Sequence, residues 1–225
     1  MTELNIGGFV SYSTCDWPGE LVATVFCQGC AWRCPYCHNP GLLSPCAETP
    51  LYWPALRSFL SRRRGLLDGV VFSGGEPTLQ EALPQAIDDV RQMGFRVGLH
   101  TSGMAPERFA LLLSKLDWVG FDIKAPCQAY ERITGVRLSA ESAFESLRLL
   151  LNAGVAYEVR TTLHPELLTL ADMRQLKDEL VAAGVANYVV QRYRPHDARS
   201  KAPAVELNQA MLLELQREFA TFTVR

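Results

Sequence analysis

Short apolar, β-branched stretches alternate along this chain with segments of helical period, and that alternation limits the folds open to it. Residues 21–27 (LVATVFC), 69–75 (GVVFSGG), 95–103 (FRVGLHTSG), 118–124 (WVGFDIK), 156–165 (AYEVRTTLHP) and 186–195 (ANYVVQRYRP) read as strands. Helical patterns fill 52–64, 79–93, 106–115, 139–154, 170–184 and about 206–220. Ser139 is placed to cap its helix and Gly154 to stop it. Strands alternating with helices of this length predict βαβ units and a parallel sheet. Six such units fit 225 residues, whereas a closed eight-unit barrel typically takes about 250. The expected fold is α/β: an open six-stranded (β/α)6 partial TIM barrel, one domain over 1–225. Ligands of such sheets bind at the carboxyl ends of the strands. Motifs that make one site should therefore lie there.

Hydrophobic residues make up 48% of the chain and charged ones 20%, the balance of a globular domain. Net charge is −2, which advertises neither nucleic acid nor an anionic membrane as partner. No apolar run approaches the ~20 residues of a membrane span, and MTELNIGGFV lacks the pattern of a signal peptide. The expected location is the cytoplasm, where thiols stay reduced. Seven cysteines, four of them clustered, then point to a metal site and not to disulfides.

The cluster is FCQGCAWRCPYCHNP, with Cys27, Cys30, Cys34 and Cys37 inside eleven positions. Three readings compete. Structural zinc on four thiols normally spaces its two pairs about 15–20 residues apart; here three residues separate them. A bacterial ferredoxin run ends with Cys27, Cys30, Cys34 and Pro35, but its first cysteine would fall on Thr24. The third reading takes Cys30, Cys34 and Cys37 alone, spaced C-x3-C-x2-C. Three thiolates on a four-iron cluster leave one iron open to substrate or cofactor. Cys27 is then a small buried hydrophobe closing the first strand.

Other motifs fall at strand ends. In SGGEP, Gly74 and Gly75 permit close backbone approach, and the Glu76 carboxylate suits an ammonium. HTSG (100–103) ends the third strand and DIK (122–124) the fourth; Arg160 lies in the fifth. Taken singly these are a turn, a surface ion pair and a solvated arginine. Asp122 and Lys124, two apart, point to one face.

C-x3-C-x-aromatic-C, carried by Cys30, Cys34, Tyr36 and Cys37, resembles the signature of the radical S-adenosylmethionine (SAM) superfamily. With DWPG (16–19), FCQGC…CPYCHNP and FDIKAP…Y…ITG, the chain from about residue 8 to 195 resembles the enzymes that activate glycyl radical proteins. The nearest likeness is to anaerobic ribonucleoside-triphosphate reductase activating proteins; pyruvate formate-lyase activating enzyme is more distant. The resemblance implies a (β/α)6 partial barrel and a [4Fe-4S] cluster on Cys30, Cys34 and Cys37. It implies reductive cleavage of SAM to methionine and a 5′-deoxyadenosyl radical, which takes hydrogen from a glycine Cα of a partner enzyme. It assigns Tyr36, Gly74, Gly75, Glu76, Thr101, Ser102, Asp122, Lys124 and Arg160 to SAM or its surroundings, Lys124 and Arg160 to its carboxylate and ribose. Asp16 matches a position near the incoming glycine loop, and His38 neighbours the cluster.

Departures bear on the expectation. Pyruvate formate-lyase activating enzyme has Asp where His100 stands, and that Asp helps hold a monovalent cation; none is assigned here. No cysteine-rich insert follows the first loop, so one cluster is expected, with Cys46 and Cys127 as free thiols. The implied partners are a glycyl radical enzyme, an anaerobic ribonucleotide reductase first of all, and a flavodoxin- or ferredoxin-type electron donor. Two rivals remain: a radical SAM enzyme acting on a small molecule or nucleoside precursor, and an iron-sulfur electron carrier. The basic stretch 192–201 is either a docking surface or a solvated loop.

Overall fold

The computed structural model describes residues 3–46, 51–194 and 207–225. Among these residues eight strands form one sheet in sequential order, β1 (Ile6–Ser13), β2 (Val22–Cys27), β3 (Gly69–Gly74), β4 (Arg96–Thr101), β5 (Trp118–Asp122), β6 (Ala156–Leu163), β7 (Asn187–Arg192) and β8 (Thr221–Val224). β1 runs antiparallel to β2, and every later neighbour is parallel. The order has two ends, so the barrel is open. Strands β2 to β7 are the six expected from sequence; β1 and β8 extend the sheet beyond them.

Helices α1 (Trp53–Ser61), α2 (Leu83–Gln92), α3 (Pro106–Leu112), α4 (Tyr130–Thr134), α5 (Ser139–Ala153), α6 (Leu170–Ala183) and α7 (Gln209–Glu218) connect them. Pro at N1 or N2 opens α1, α2 and α3, where its missing N–H costs nothing. A Thr169–Asp172 capping box opens α6. Gly154 stops α5 at φ 69°, as expected, but Ser139 does not cap it. The cap position belongs to Leu138, at φ 58°, and the Ser139 hydroxyl donates to Val136 O at 2.7 Å.

The two-residue period of the strands sorts their side chains between two environments. Ala23, Val25, Cys27, Val70, Phe72, Val97, Leu99, Val119 and Phe121 join the core shared with the helices. Their alternates Phe26, Ser73, His100, Asp122, Arg160 and Gln191 line a cavity inside the barrel. A buried parallel sheet is normally apolar on both faces. Polar residues on the inner one mark this cavity for ligand.

Candidate active site

The cavity, of about 480 Å³, opens where the parallel strands end. The loop leaving β2 is organised by its own sequence. Buried Gln28 donates through Nε2 to Gly41 O (3.0 Å) and Ser44 O (2.7 Å), tying the two ends of the loop. Arg33 Nη1 donates to Cys30 O and Trp32 O, and Arg33 N to Thr134 O. Trp32 packs edge-on against Tyr130. Gly74 (φ 117°) and Gly75 pass directly beneath: a Cβ on Gly74 would sit 2.4 Å from Cys27 N, and one on Gly75 2.2 Å from Gly29 O. The glycine pair thus serves the cysteine loop as well as the cavity, with Gly75 N donating to Cys27 O and Glu76 N to Gly29 O.

Cys30, Cys34 and Cys37 are half-buried and all line the cavity. Cys27 is fully buried, one position out of phase on the strand, in the core. No disulfide joins any of the seven cysteines, and Cys15, Cys46 and Cys127 are exposed. Burial pushes the Cys30 thiol up to about 11. It raises Cys34 as well, although the Lys124 ammonium opposes it. Such thiols stay protonated until a metal ion supplies positive charge, and coordination then deprotonates them.

Of the fourteen residues singled out from the sequence, thirteen line this cavity and Glu76 alone does not. Its carboxylate is buried and turned into the protein. One oxygen accepts from Thr78 N (3.2 Å), Thr78 Oγ1 (2.7 Å) and Thr101 Oγ1 (2.7 Å). The other accepts from Ser102 N (2.9 Å) and Ser102 Oγ (2.7 Å). Glu76 here organises the end of β4, and Thr101 and Ser102 face the cavity in its place.

Asp122 and Arg160 are cross-strand partners in register, joined by Nε–Oδ1 at 2.8 Å; Lys124 Nζ reaches Asp122 Oδ2 at 3.0 Å. Burial alone would raise the Asp122 carboxyl, but Arg160 and Lys124 outweigh it and hold it well below the usual range. Burial would likewise discharge Lys124, and Asp122 keeps its ammonium charged. Two cations therefore share one carboxylate, leaving a net positive charge for an anion.

His100 links three elements. Its Nε2 lies 2.7 Å from Asp16 O, a carbonyl that only accepts, so Nε2 carries the proton and Nδ1 accepts from Ser73 Oγ at 3.1 Å. Its ring meets Trp118 edge-on, and the Asp16 carboxylate accepts from Thr24 Oγ1. Burial, then the Arg160 cation, lower the His100 pKa to about 4, with Asp122 and Asp16 opposing. The native state thus resists a proton that the unfolded chain takes up near pH 6.5. His100 should cost stability as pH falls from about 6.5 towards 4, and His100→Asn should lose less across that window, read from denaturant midpoints.

Sequence reasoning missed an aromatic network around Cys37. The Tyr36 ring lies 6.0 Å from that of His164, and the His38 ring 6.4 Å from that of Tyr193. His164 and Tyr193 themselves meet at 4.4 Å, tying the cysteine loop to the ends of β6 and β7. Cys15, Arg192, Arg194 and Arg225 also line the cavity. The stretch 192–201 is described only as far as Arg194; the rest lies outside the described residues.

An open α/β barrel with three cysteines above a paired lysine, aspartate and arginine is the framework of a cofactor-dependent enzyme. The chain belongs to the Radical SAM superfamily, which it matches over residues 24–176. A Methanocaldococcus jannaschii protein, assigned by its name as a glycyl-radical enzyme activating enzyme, is 27% identical over 86% of this chain and 81% of its own length. The pyruvate formate-lyase-activating enzyme of Clostridium pasteurianum is 32% identical over 71% of this chain and 67% of its own. Among solved structures, Streptococcus suis SuiB bound to S-adenosylmethionine superposes with a TM-score of 0.65 at 14% identity. The match covers 88% of this chain but only 48% of SuiB, so this chain spans about half of that protein. The superfamily uses a [4Fe-4S] cluster and SAM. The residues present fit both: three thiols on one cavity, and a buried Tyr36 hydroxyl without a hydrogen-bond partner among the described residues. Among those residues no helix is long and apolar enough to cross a membrane.

Proposed function

We propose that this chain is a radical SAM activating enzyme that installs a glycyl radical on a partner protein, an anaerobic ribonucleoside-triphosphate reductase, in the cytoplasm. The observation that carries the reading is convergence: Cys30, Cys34 and Cys37 face the same cavity as the polar ends of β3, β4, β5 and β6. The relatives named for activation of glycyl-radical enzymes and of pyruvate formate-lyase support the reaction class.

In this reading Cys30, Cys34 and Cys37 would hold the cluster, three thiolates from one loop. The chemistry that cluster and SAM supply when bound is one-electron cleavage of SAM, giving methionine and a 5′-deoxyadenosyl radical that takes hydrogen from a partner glycine. The protein's part is to orient and to exclude water. Lys124 and Arg160 offer the net positive charge for the SAM carboxylate and donors for its ribose, and Asp122 holds both cations in place. Thr101 and Ser102, set by Glu76, present polar groups beside the Gly74–Gly75 backbone. Tyr36 brings an aromatic wall and an unsatisfied hydroxyl, with His38 beside the cluster. Asp16 faces the cavity where a glycine segment would enter. The electron comes from a flavodoxin- or ferredoxin-type donor.

Anaerobic electron paramagnetic resonance of the reconstituted, reduced protein tests this. A four-iron signal that shifts when SAM is added is the expected result, followed by a glycyl doublet on the reductase. An iron signal indifferent to SAM would leave an electron carrier as the better reading. SAM cleavage driven by a small metabolite alone, without the reductase, would move the substrate to that metabolite's class.

A further inference from the structure

Beneath the cavity lies a second apolar cluster, separate from the main core: Trp17, Val22, Val71 and Trp118. Trp17 is 5% exposed although it sits in the loop joining β1 to β2. Its indole stacks on Trp118 at 5.5 Å and 17°, and the Arg96 guanidinium lies 5.2 Å from its ring centre. Neither tryptophan lines the cavity; Trp118 reaches its wall through the His100 ring, 5.6 Å away.

Three glycines make room for these rings, one on each of three adjacent strands. A Cβ on Gly98 of β4 would lie 2.9 Å from Trp17 Cε3 and 3.0 Å from Val71 Cγ2. On Gly69 of β3 it would lie 3.2 Å from Trp17 Cζ3 and 2.8 Å from Arg96 O. On Gly120 of β5 it would meet Trp118 Cη2 at 2.8 Å and Arg160 Nη1 at 2.6 Å. None has a positive φ, so no turn demands them. Glycine weakens a strand interior and marks a close approach; here the approach is that of the indoles.

The residues just before Trp17 enter the cavity. Ser13 Oγ accepts from Cys15 N and Asp16 N, both at 3.3 Å, and the Asp16 carbonyl accepts from His100. Cys15 and Asp16 both line the cavity. We propose that Trp17 is a positioning residue: its indole docks in the glycine slot and thereby fixes the Cys15–Asp16 corner of the cavity wall. The corner's part in receiving a glycine segment rests on the function proposed above. The docking itself does not.

The test uses the metal-free chain and hydrogen–deuterium exchange of the Cys15 and Asp16 amides, both held by the Ser13 hydroxyl, with the Asp172 amide, held by Thr169 Oγ1, as internal control. Gly98→Ala places one methyl group in the slot and changes no cavity-lining residue; Trp17→Leu empties it; Trp17→Phe keeps a ring there. Gly98→Ala and Trp17→Leu should speed exchange at Cys15 and Asp16 about tenfold, the size of effect expected when a stacked ring pair is lost, with Asp172 unchanged. Both should abolish or alter the circular-dichroism couplet of the stacked indoles. Trp17→Phe should bring the exchange rate back nearer to the wild type than to Trp17→Leu. Should Trp17→Leu fail to fold, Gly98→Ala carries the comparison with Trp17→Phe. Unchanged exchange at Cys15 and Asp16 in folded Gly98→Ala with an altered couplet would overturn the proposal. So would equal acceleration at Asp172, which would make Trp17 a general stabiliser. Because no cluster or SAM is present, these outcomes stand apart from the resonance experiment on function.

Discussion

Cys30→Ala, Cys34→Ala and Cys37→Ala should each abolish stable cluster assembly and lower SAM cleavage by more than about a hundredfold, beyond what loss of an outer-shell partner costs a metal site. Cys27→Ala should keep its iron. The four thiols are nearly indistinguishable by spacing, and what separates them is which side of the β2 alternation they follow. Cys27 is the last residue of β2 and points to the helices, where burial, reinforced by the Glu76 charge, raises its pKa and keeps the thiol neutral. The other three come after the strand, on the loop that Gln28 and Arg33 fold across the barrel mouth. Iron and sulfide per chain after anaerobic reconstitution, with 5′-deoxyadenosine as product, measure both arms. Loss of iron from Cys27→Ala, with the fold intact, would bring all four thiols back into consideration.

Glu76→Gln should destabilise the metal-free chain by about 3 kcal/mol, since an acceptor of five hydrogen bonds becomes half donor. The amide offers one oxygen to donors that now occupy two, and its NH2 would confront either Ser102 or the Thr78–Thr101 pair. A buried backbone N–H, that of Thr78 or of Ser102, is left unpaired either way. For a chain of this size the loss corresponds to a melting point lower by about 6–12 °C, and SAM affinity should fall with it as Thr101 and Ser102 lose their anchor. A melting point unchanged beside weaker SAM binding would mean that the carboxylate serves the ligand directly.

Glu76 shows where local reading reaches its end. SGGEP announces a carboxylate beside two glycines at a strand end, and that much the structure keeps. Three of the five donors that engage it belong to residues 101 and 102, at and just past the end of the next strand. The same holds for Cys37, whose flanking rings are met by His164 and Tyr193 from the far side of the sheet. Strands β1 and β8 were hidden for another reason. IGGFVSYS carries two glycines and a half-exposed face, and TFTV is only four residues long. Both depend on pairing with a neighbour strand for their place in the sheet.

What the amino-acid sequence determined by itself was periodic or close in the chain: six βα units, the C-x3-C-x2-C spacing, and polar residues at strand ends. Those features follow from the two-residue strand repeat, the helical repeat and cysteines within a single loop, all written locally. Tertiary structure alone decided which carboxylate faces the cavity and which is consumed by the protein, that Cys27 turns away from its neighbours, and that Gly69 and Gly98 make room for Trp17 while Gly120 makes room for Trp118. Each of these depends on atoms brought within 3 or 4 Å from distant positions, and such proximity exists only once the sheet has curved around them.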